Sequence, residues 1–154
     1  MGMSLADYEI LRDRLASGHA SRAQPKPPTK PINLLSEAQE QQLLCAWLSA
    51  HPVLRGYWLH IPNERINKIE RIKLKAQGVM PGAPDIIVIR PTLDAKVGVV
   101  VELKRSDRSS ATDPEHGASE AQRIWLESFR RCGWAAYVCY GAAEAIARLR
   151  SHYG

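Results

Sequence analysis

The sequence predicts an α/β domain in which a mixed β-sheet is flanked by helices. From residue 32 onward, segments with helical spacing of apolar residues alternate with short apolar runs, in the order α, β, (α), β, β, α, β, α. Two of these runs, residues 86–90 and 97–104, are rich in Val and Ile. Continuous apolar runs of this kind are typical of strands that are covered on both faces.

Local signals place the limits of these elements. Ser36 and Ser119 lie where helix N-caps are expected, and Gly133 lies where the helix that begins at Ser119 should end. Residues 65–77 form either a basic helix or an irregular arm. The remaining helices are predicted over residues 36–50, 119–131 and 142–150, and the strands over residues 56–62, 86–90, 97–104 and 134–140.

The first 31 residues are predicted to form an appendage to a domain that spans residues 32–154. In residues 4–15 the apolar side chains share one helical face, and residues 22–31 form a basic, proline-rich linker. A helix this short is marginal in isolation, so it must dock or fray. One hypothesis is that it docks on a neighbouring subunit and helps to hold a homodimer.

Composition narrows the function classes. The net charge of +5 favours a polyanionic partner, and the chain has no run of about 18 apolar residues that could span a membrane. Cys45, Cys132 and Cys139 form no Cys-x-x-Cys pair, which argues against a zinc site and predicts reduced, buried thiols. The sequence therefore predicts an intracellular, cytoplasmic protein.

Acidic side chains lie at the ends of the two Val- and Ile-rich strands. If the hairpin is symmetric about the loop 91–96, Asp85 falls directly opposite Glu102, where like charges are destabilising. Lys104 lies on the same face as Glu102, because side chains alternate along a strand. Two carboxylates in this relation need a cation, and hard oxygen ligands suit Mg²⁺ or Mn²⁺. Such an ion could activate a water molecule for attack on a phosphodiester.

The alternative interpretation is a solvated cross-strand pair, which is the usual meaning of Glu-x-Lys at a strand end. The presence of Asp85 at the matching position, behind a turn over residues 81–84, favours the functional interpretation.

An ordered set of motifs resembles the VRR-NUC branch of the PD-(D/E)xK nuclease superfamily. The set covers residues 36–149 and consists of Gly78-x-x-Pro81-Gly82-x-Pro84-Asp85, Val101-Glu102-x-Lys104, Ser119-x-x-Gln122 and Gly133. The resemblance implies a restriction-endonuclease-like core, dependence on a divalent metal and cleavage of DNA. It also implies that the backbone carbonyl of Leu103 is a metal ligand.

The resemblance further implies a glutamate on the first core helix, for which Glu37 and Glu40 are the candidates. A helical wheel places Glu37 in the middle of the apolar face and Glu40 nearer its edge, which favours Glu37. Its alternative role is that of an ordinary acidic residue in the first turn of the helix. Gln122 is predicted in the catalytic site, although it also completes a capping box with Ser119.

Other residues are predicted to face the DNA. Asn63 is carried over from the family pattern, although Glu64 replaces the glycine usual there, and His60 is interpreted as an ordinary strand-end histidine. The polar stretch 105–117 is expected to be a mobile loop. A basic segment is expected to contact phosphates without reading sequence, through Arg65, Lys68, Arg71, Lys73 and Lys75.

These observations predict a metal-dependent DNA endonuclease, and the resemblance implies that it is selective for branched, flap or four-way junction DNA. The first alternative is a catalytically inactive DNA-binding module with the same fold. The second is a metalloprotein or interaction domain that binds no nucleic acid.

Overall fold

The computed structural model describes residues 5–17, 34–61 and 68–154. The elements in chain order are α1 (Leu5–Ser17), α2 (Glu37–Ala50), β1 (Trp58–His60), α3 (Lys68–Ala76), β2 (Ile86–Val88), β3 (Val99–Lys104), α4 (Glu120–Arg131), β4 (Ala135–Tyr140) and α5 (Ala142–Tyr153). The predicted order of elements is confirmed, and α3 is a helix rather than an irregular arm. None of the described helices is long and apolar enough to cross a membrane.

The sheet is mixed, as predicted. Its strand order is β1-β2-β3-β4; β2 is antiparallel to both β1 and β3, whereas β4 runs parallel to β3. A parallel pair needs a crossover connection, which α4 provides. In the β2–β3 hairpin Ile86 pairs with Val101 and Val88 with Val99. This register is the predicted one, and one step further along it places Asp85 opposite Glu102.

The two faces of the sheet are covered by different helices. Val99, Val101 and Leu103 of β3 pack in the main core, which also contains side chains of α2 and α5. Val100 packs instead with Leu126 of α4. Because side chains alternate along a strand, Glu102 and Lys104 lie on the face that α4 covers.

Helix α2 begins at a complete capping box. Ser36 Oγ accepts a hydrogen bond from the Gln39 backbone N–H, and the Gln39 side chain accepts one from the Ser36 N–H. Leu43, Leu44 and Leu48 are fully buried, and each such side chain stabilises the fold by about 1.5–3 kcal/mol. The capped end and the buried face together fix α2, which carries Glu37.

Helix α1 packs on the core of its own chain. Tyr8 is buried, and Leu11 packs against the same core cluster as α2. The predicted helix is therefore present and docked, but its docking site lies within the same chain, which gives no support to a role in holding a dimer. The linker predicted at residues 22–31 lies outside the described residues.

Two expectations are corrected by the structure. Cys132 is exposed rather than buried, because it caps the end of α4 at the surface. The stretch 105–117 is not a free loop, since Arg123 and Arg130 of α4 form ion pairs with Asp113 and Glu115. Long-range ion pairs of this kind leave no signal in the local sequence.

Candidate active site

Glu102 is a buried carboxylate with one unsatisfied oxygen. Its residue is only 1% exposed. Oε1 accepts hydrogen bonds from Lys104 Nζ at 2.7 Å and from Gln122 Nε2, whereas Oε2 is buried and has no hydrogen-bond partner in the described structure. Burying a charged oxygen without a partner is costly, and such groups are rare in folded proteins. Oε2 is therefore suited to a ligand that supplies positive charge.

Asp85 is half-buried and is oriented by the backbone of β3. Its Oδ2 accepts a hydrogen bond of 2.8 Å from the Leu103 N–H. This contact draws the residue that precedes β2 toward the end of β3 that carries Glu102. The carbonyl of Leu103, which the family resemblance implies as a metal ligand, belongs to the same short stretch of backbone.

The two carboxylates repel each other. Burial, followed by the negative charge of Asp85, raises the pKa of Glu102 to about 7, while the hydrogen bond from Lys104 lowers it and Glu37 adds a smaller increase. Proximity of like charges in a poorly solvated site disfavours the ionised form. A divalent cation between the two groups would reverse this balance.

The raised pKa predicts how the stability of the metal-free protein depends on pH. Because the pKa of Glu102 is higher in the folded than in the unfolded state, its stabilising contribution is present below about pH 4.5 and is lost as the pH rises through about 7. The total loss is about 3 kcal/mol. We expect the unfolding free energy of wild type, measured relative to Glu102→Gln, to fall by this amount between pH 4 and pH 8 in EDTA.

Magnesium provides the control for that measurement. The ion should restore the stability of wild type above pH 7 but leave Glu102→Gln unchanged. Parallel pH profiles of the two proteins in EDTA would contradict the assignment of Glu102 as the perturbed group.

Gln122 makes two kinds of contact, one that caps α4 and one that reaches Glu102. It completes the capping box of α4 with Ser119, since Ser119 Oγ accepts from the Gln122 N–H and Gln122 Oε1 accepts from the Ser119 N–H. Its Nε2 also donates to Glu102 Oε1. The start of α4 is thereby tied to the carboxylate, and Lys104 Nζ lies 3.5 Å from the same amide oxygen.

The helical wheel described the two glutamates of α2 incorrectly. Glu40, and not Glu37, is the buried one, at 5% exposure. Its Oε2 accepts a hydrogen bond of 2.8 Å from the Ala142 N–H, so that it satisfies the N-terminus of α5. Glu37 is exposed and contributes to the field at Glu102. Glu40 is thus committed to a structural contact, whereas Glu37 faces the site.

A cavity of about 530 Å³ opens beside Asp85. Its lining includes Glu37, Gln41, Cys45, His60 and Asp85. His60, interpreted from the sequence as an ordinary strand-end histidine, lines this cavity as well. It pairs with Ile86, the neighbour of Asp85, across the β1–β2 ladder. The sequence showed that His60 lies at the end of a strand. It did not show which strand β1 pairs with, so the proximity of His60 to Asp85 could not be predicted.

The predicted DNA-facing residues are placed only in part. Lys73 and Lys75 are exposed in the last turn of α3. Asn63 and Arg65 lie outside the described residues, as do the side chains of Lys68 and Arg71, although α3 includes both positions.

The carboxylate oxygens of Asp85 and Glu102 fit a hard cation that takes only a few of its ligands from the protein. Among residues 5–17, 34–61 and 68–154, no three Asp, Glu, His or Cys side chains are grouped closely enough to bind a metal ion. Mg²⁺ commonly uses only one or two carboxylates and completes its shell with water and phosphate. Asp85 and Glu102, with the unsatisfied Oε2, match that requirement.

Comparison with known proteins identifies the family. The model of the VRR-NUC domain matches residues 32–143, which is most of the chain. This chain belongs to the VRR-NUC domain family. The matched VRR-NUC region contains Glu37, Asp85, Glu102, Lys104 and Gln122. A search of curated proteins finds no significant match.

A solved structure supports the same assignment. A protein described as a VRR_NUC domain protein is 25% identical to this chain and superposes with a TM-score of 0.60, over 77% of this chain and 88% of that one. The predicted restriction-endonuclease-like α/β architecture is confirmed. As a VRR-NUC member, the chain is a nuclease-like DNA-processing module.

Proposed function

We propose that this chain is a Mg²⁺- or Mn²⁺-dependent endonuclease that hydrolyses DNA phosphodiester bonds at the site formed by Asp85, Glu102 and Lys104. The observation that carries the proposal is the unsatisfied Oε2 of Glu102, buried opposite a second carboxylate. A stable fold tolerates that arrangement best when a cation completes it.

The ion would be held by Asp85, Glu102 and the carbonyl of Leu103, with Glu37 across the cavity. When bound, it would supply Lewis-acid chemistry that lowers the pKa of a water molecule and neutralises charge on the phosphodiester. The Leu103 N–H orients Asp85, and Gln122 orients Glu102. Lys104 Nζ brings a positive charge to the carboxylate, where it can stabilise negative charge that develops on the phosphate.

A panel of DNA substrates tests the proposal. Single-stranded, flap, continuous duplex and four-way junction DNAs are incubated with the full chain in Mg²⁺, in Mn²⁺ and in EDTA. We expect cleavage with either ion, none in EDTA, and faster cleavage of flap or junction DNA than of continuous duplex. Binding of all four DNAs without cleavage in either ion would favour the inactive DNA-binding module instead.

Phosphate contacts by the basic segment are part of the same proposal. At 100° per residue, positions 68, 71 and 75 fall within about 60° of one another on α3, while position 73 lies on the opposite side. We expect the triple variant Lys68→Ala, Arg71→Ala, Lys75→Ala to weaken binding of all DNA sequences alike. The log–log salt dependence should flatten by about 0.9 for each lost contact.

Lys73 was also expected from the sequence to contact phosphate, but helix geometry places it on the other side of α3, so that the proposal leaves it out. The variant Lys73→Ala, which removes this exposed lysine, is therefore the matched control for that measurement. An unchanged salt slope in the triple variant, or an equal change in the control, would show that this face of α3 does not contact DNA.

A homodimer is the last part of the proposal. One site cuts one strand, so that a two-fold dimer would allow paired cuts in a symmetric junction. We expect the full chain to sediment with about twice its mass of 17.2 kDa. A variant without residues 1–31 tests the arm: if it sediments as the full chain does, α1 has no part in assembly.

A further inference from the structure

The turn that leads into Asp85 exposes apolar side chains. Residues 79–84 read Val-Met-Pro-Gly-Ala-Pro and contain no charged or polar side chain. Val79 is 48% exposed and Met80 is 58% exposed. The metal ligands, the basic charge partner and the helix caps described above make no use of these two side chains.

The backbone of this turn is fixed at three points. The Val79 N–H donates to the Leu74 carbonyl at 2.9 Å, and Trp125 Nε1 donates to the Pro81 carbonyl at 3.1 Å. Gly82, with φ of +79°, lies so close to α4 that a Cβ there would be 2.7 Å from Ala121. Val79 and Met80 are therefore presented to solvent by an anchored turn.

The anchoring also brings the turn to the candidate active site. The same Cβ on Gly82 would lie 2.8 Å from the backbone nitrogen of Gln122, whose side chain holds Glu102. We call Val79 and Met80 the apolar rim. Exposed Lys75 lies on the helix that ends at this turn, so that cationic and apolar surface adjoin.

The apolar rim is chemically suited to contact the bases of a nucleic acid rather than its phosphates. Phosphates require cations or hydrogen-bond donors, and the side chains of Val79 and Met80 offer neither. Met, Ile and similar apolar side chains instead contact the faces of nucleobases, where they act as wedges between unstacked bases. Base faces are hidden in continuous duplex DNA and accessible at branch points, flaps and single strands. The neighbouring Lys75 would bind the backbone that leads to such a base.

From this juxtaposition we infer that the apolar rim contacts the face of an unstacked base beside the scissile phosphate. It thereby favours DNA with branch-point or unpaired bases over continuous duplex. The inference rests on the proposed DNA-cleaving function, which it deepens by naming the feature of the substrate that is recognised.

The test uses the double variant Val79→Ser, Met80→Gln in the full chain. Both positions are exposed, so that the fold should survive, which thermal unfolding checks. The control is Leu93→Gln, which removes an equally apolar and 81% exposed side chain from the hairpin loop at the opposite end of β2 and β3. The probe is a flap DNA with 2-aminopurine at the branch point, and binding is followed in EDTA by the fluorescence of that base.

Wild type and Leu93→Gln should change the 2-aminopurine fluorescence on binding, whereas the double variant should not. The double variant should bind flap DNA about tenfold more weakly, with less than about a twofold change for continuous duplex. Its salt dependence should match that of wild type, because no phosphate contact is lost. In Mg²⁺ its kcat/KM for flap DNA should fall relative to duplex by the same factor.

Three results would overturn the inference. They are an unchanged flap-to-duplex affinity ratio, no fluorescence change with wild type, or a shift of the double variant toward monomer in sedimentation with the base signal intact. The last would assign the apolar rim to a second copy of the chain. Because the fluorescence is measured without cleavage, a protein that recognises the base but cuts no DNA would refute the proposed function alone.

Discussion

Replacing Asp85 by asparagine should abolish cleavage of every DNA substrate at any Mg²⁺ or Mn²⁺ concentration while the fold survives. The substitution removes one of two opposed negative charges and keeps an oxygen that can accept from the Leu103 N–H. The charge of Asp85 raises the pKa of Glu102, so its removal should lower that pKa and stabilise the metal-free protein above pH 7. Cleavage is measured on flap DNA, and stability by thermal unfolding in EDTA.

A comparison of Asp85→Asn with Asp85→Ala separates the effect of losing the charge from the effect of losing the hydrogen bond. From the sequence alone, Asp85→Ala is expected to leave the stability of the metal-free protein equal or higher, because it removes a repelling carboxylate. The structure transfers that expectation to Asp85→Asn, because Asp85→Ala also strips the Leu103 N–H of its acceptor, at a cost of about 1–3 kcal/mol. Asp13→Asn, at an exposed carboxylate of α1, is the neutral control. Cleavage by Asp85→Asn at the wild-type rate would refute the metal-site assignment.

The carboxylate pair could be predicted because it depends on local structure. A short loop between two apolar strands restricts the hairpin to few registers, and a shift by one residue would move every side chain to the wrong face. The predicted register is the observed one, with Ile87 opposite Val100. The side of the sheet occupied by Glu102 then follows from alternation alone.

The two glutamates of α2 show where such reasoning fails. A helical wheel ranks positions by their neighbours on the same helix, and it placed Glu37 in the apolar centre. Burial of Glu40 is decided instead by the N-terminus of α5, about a hundred residues further along the chain, where Ala142 needs an acceptor. Gly141 permits that approach, because a Cβ there would lie 3.2 Å from Glu40 Oε1. A partner so distant in sequence leaves no periodic signal.

The proximity of His60 to Asp85 was missed for a related reason. Strand β1 has only three residues, so that its pattern cannot show which strand it pairs with. In the observed antiparallel register His60 pairs with Ile86, the residue that follows Asp85. By contrast, the capping box formed by Ser119 and Gln122 could be predicted, since it is a local motif. The place of Gln122 in the catalytic site came from the family resemblance and stays a prediction.

Lys104→Met should lower the turnover number on flap DNA by about 100-fold or more, as expected when a charged group that stabilises the transition state is removed. Methionine retains much of the length of the side chain in a position that is only partly exposed. The structure adds a complication: Lys104 donates to Glu102 at 2.7 Å and lowers its pKa. Its loss should therefore increase protonation of Glu102 near neutral pH and weaken metal binding there.

Measurement at pH 8.5 and saturating Mg²⁺ separates these two effects. Higher pH ionises Glu102 in both proteins, so that any remaining defect belongs to the step in which charge develops on the phosphate. Lys96→Met, at an exposed lysine of the β2–β3 loop, is the matched control and should cleave like wild type. We expect the defect of Lys104→Met to persist under these conditions. If turnover recovers fully, then Lys104 acts only by keeping Glu102 ionised, and the site contains no residue in the electrostatic role proposed for it.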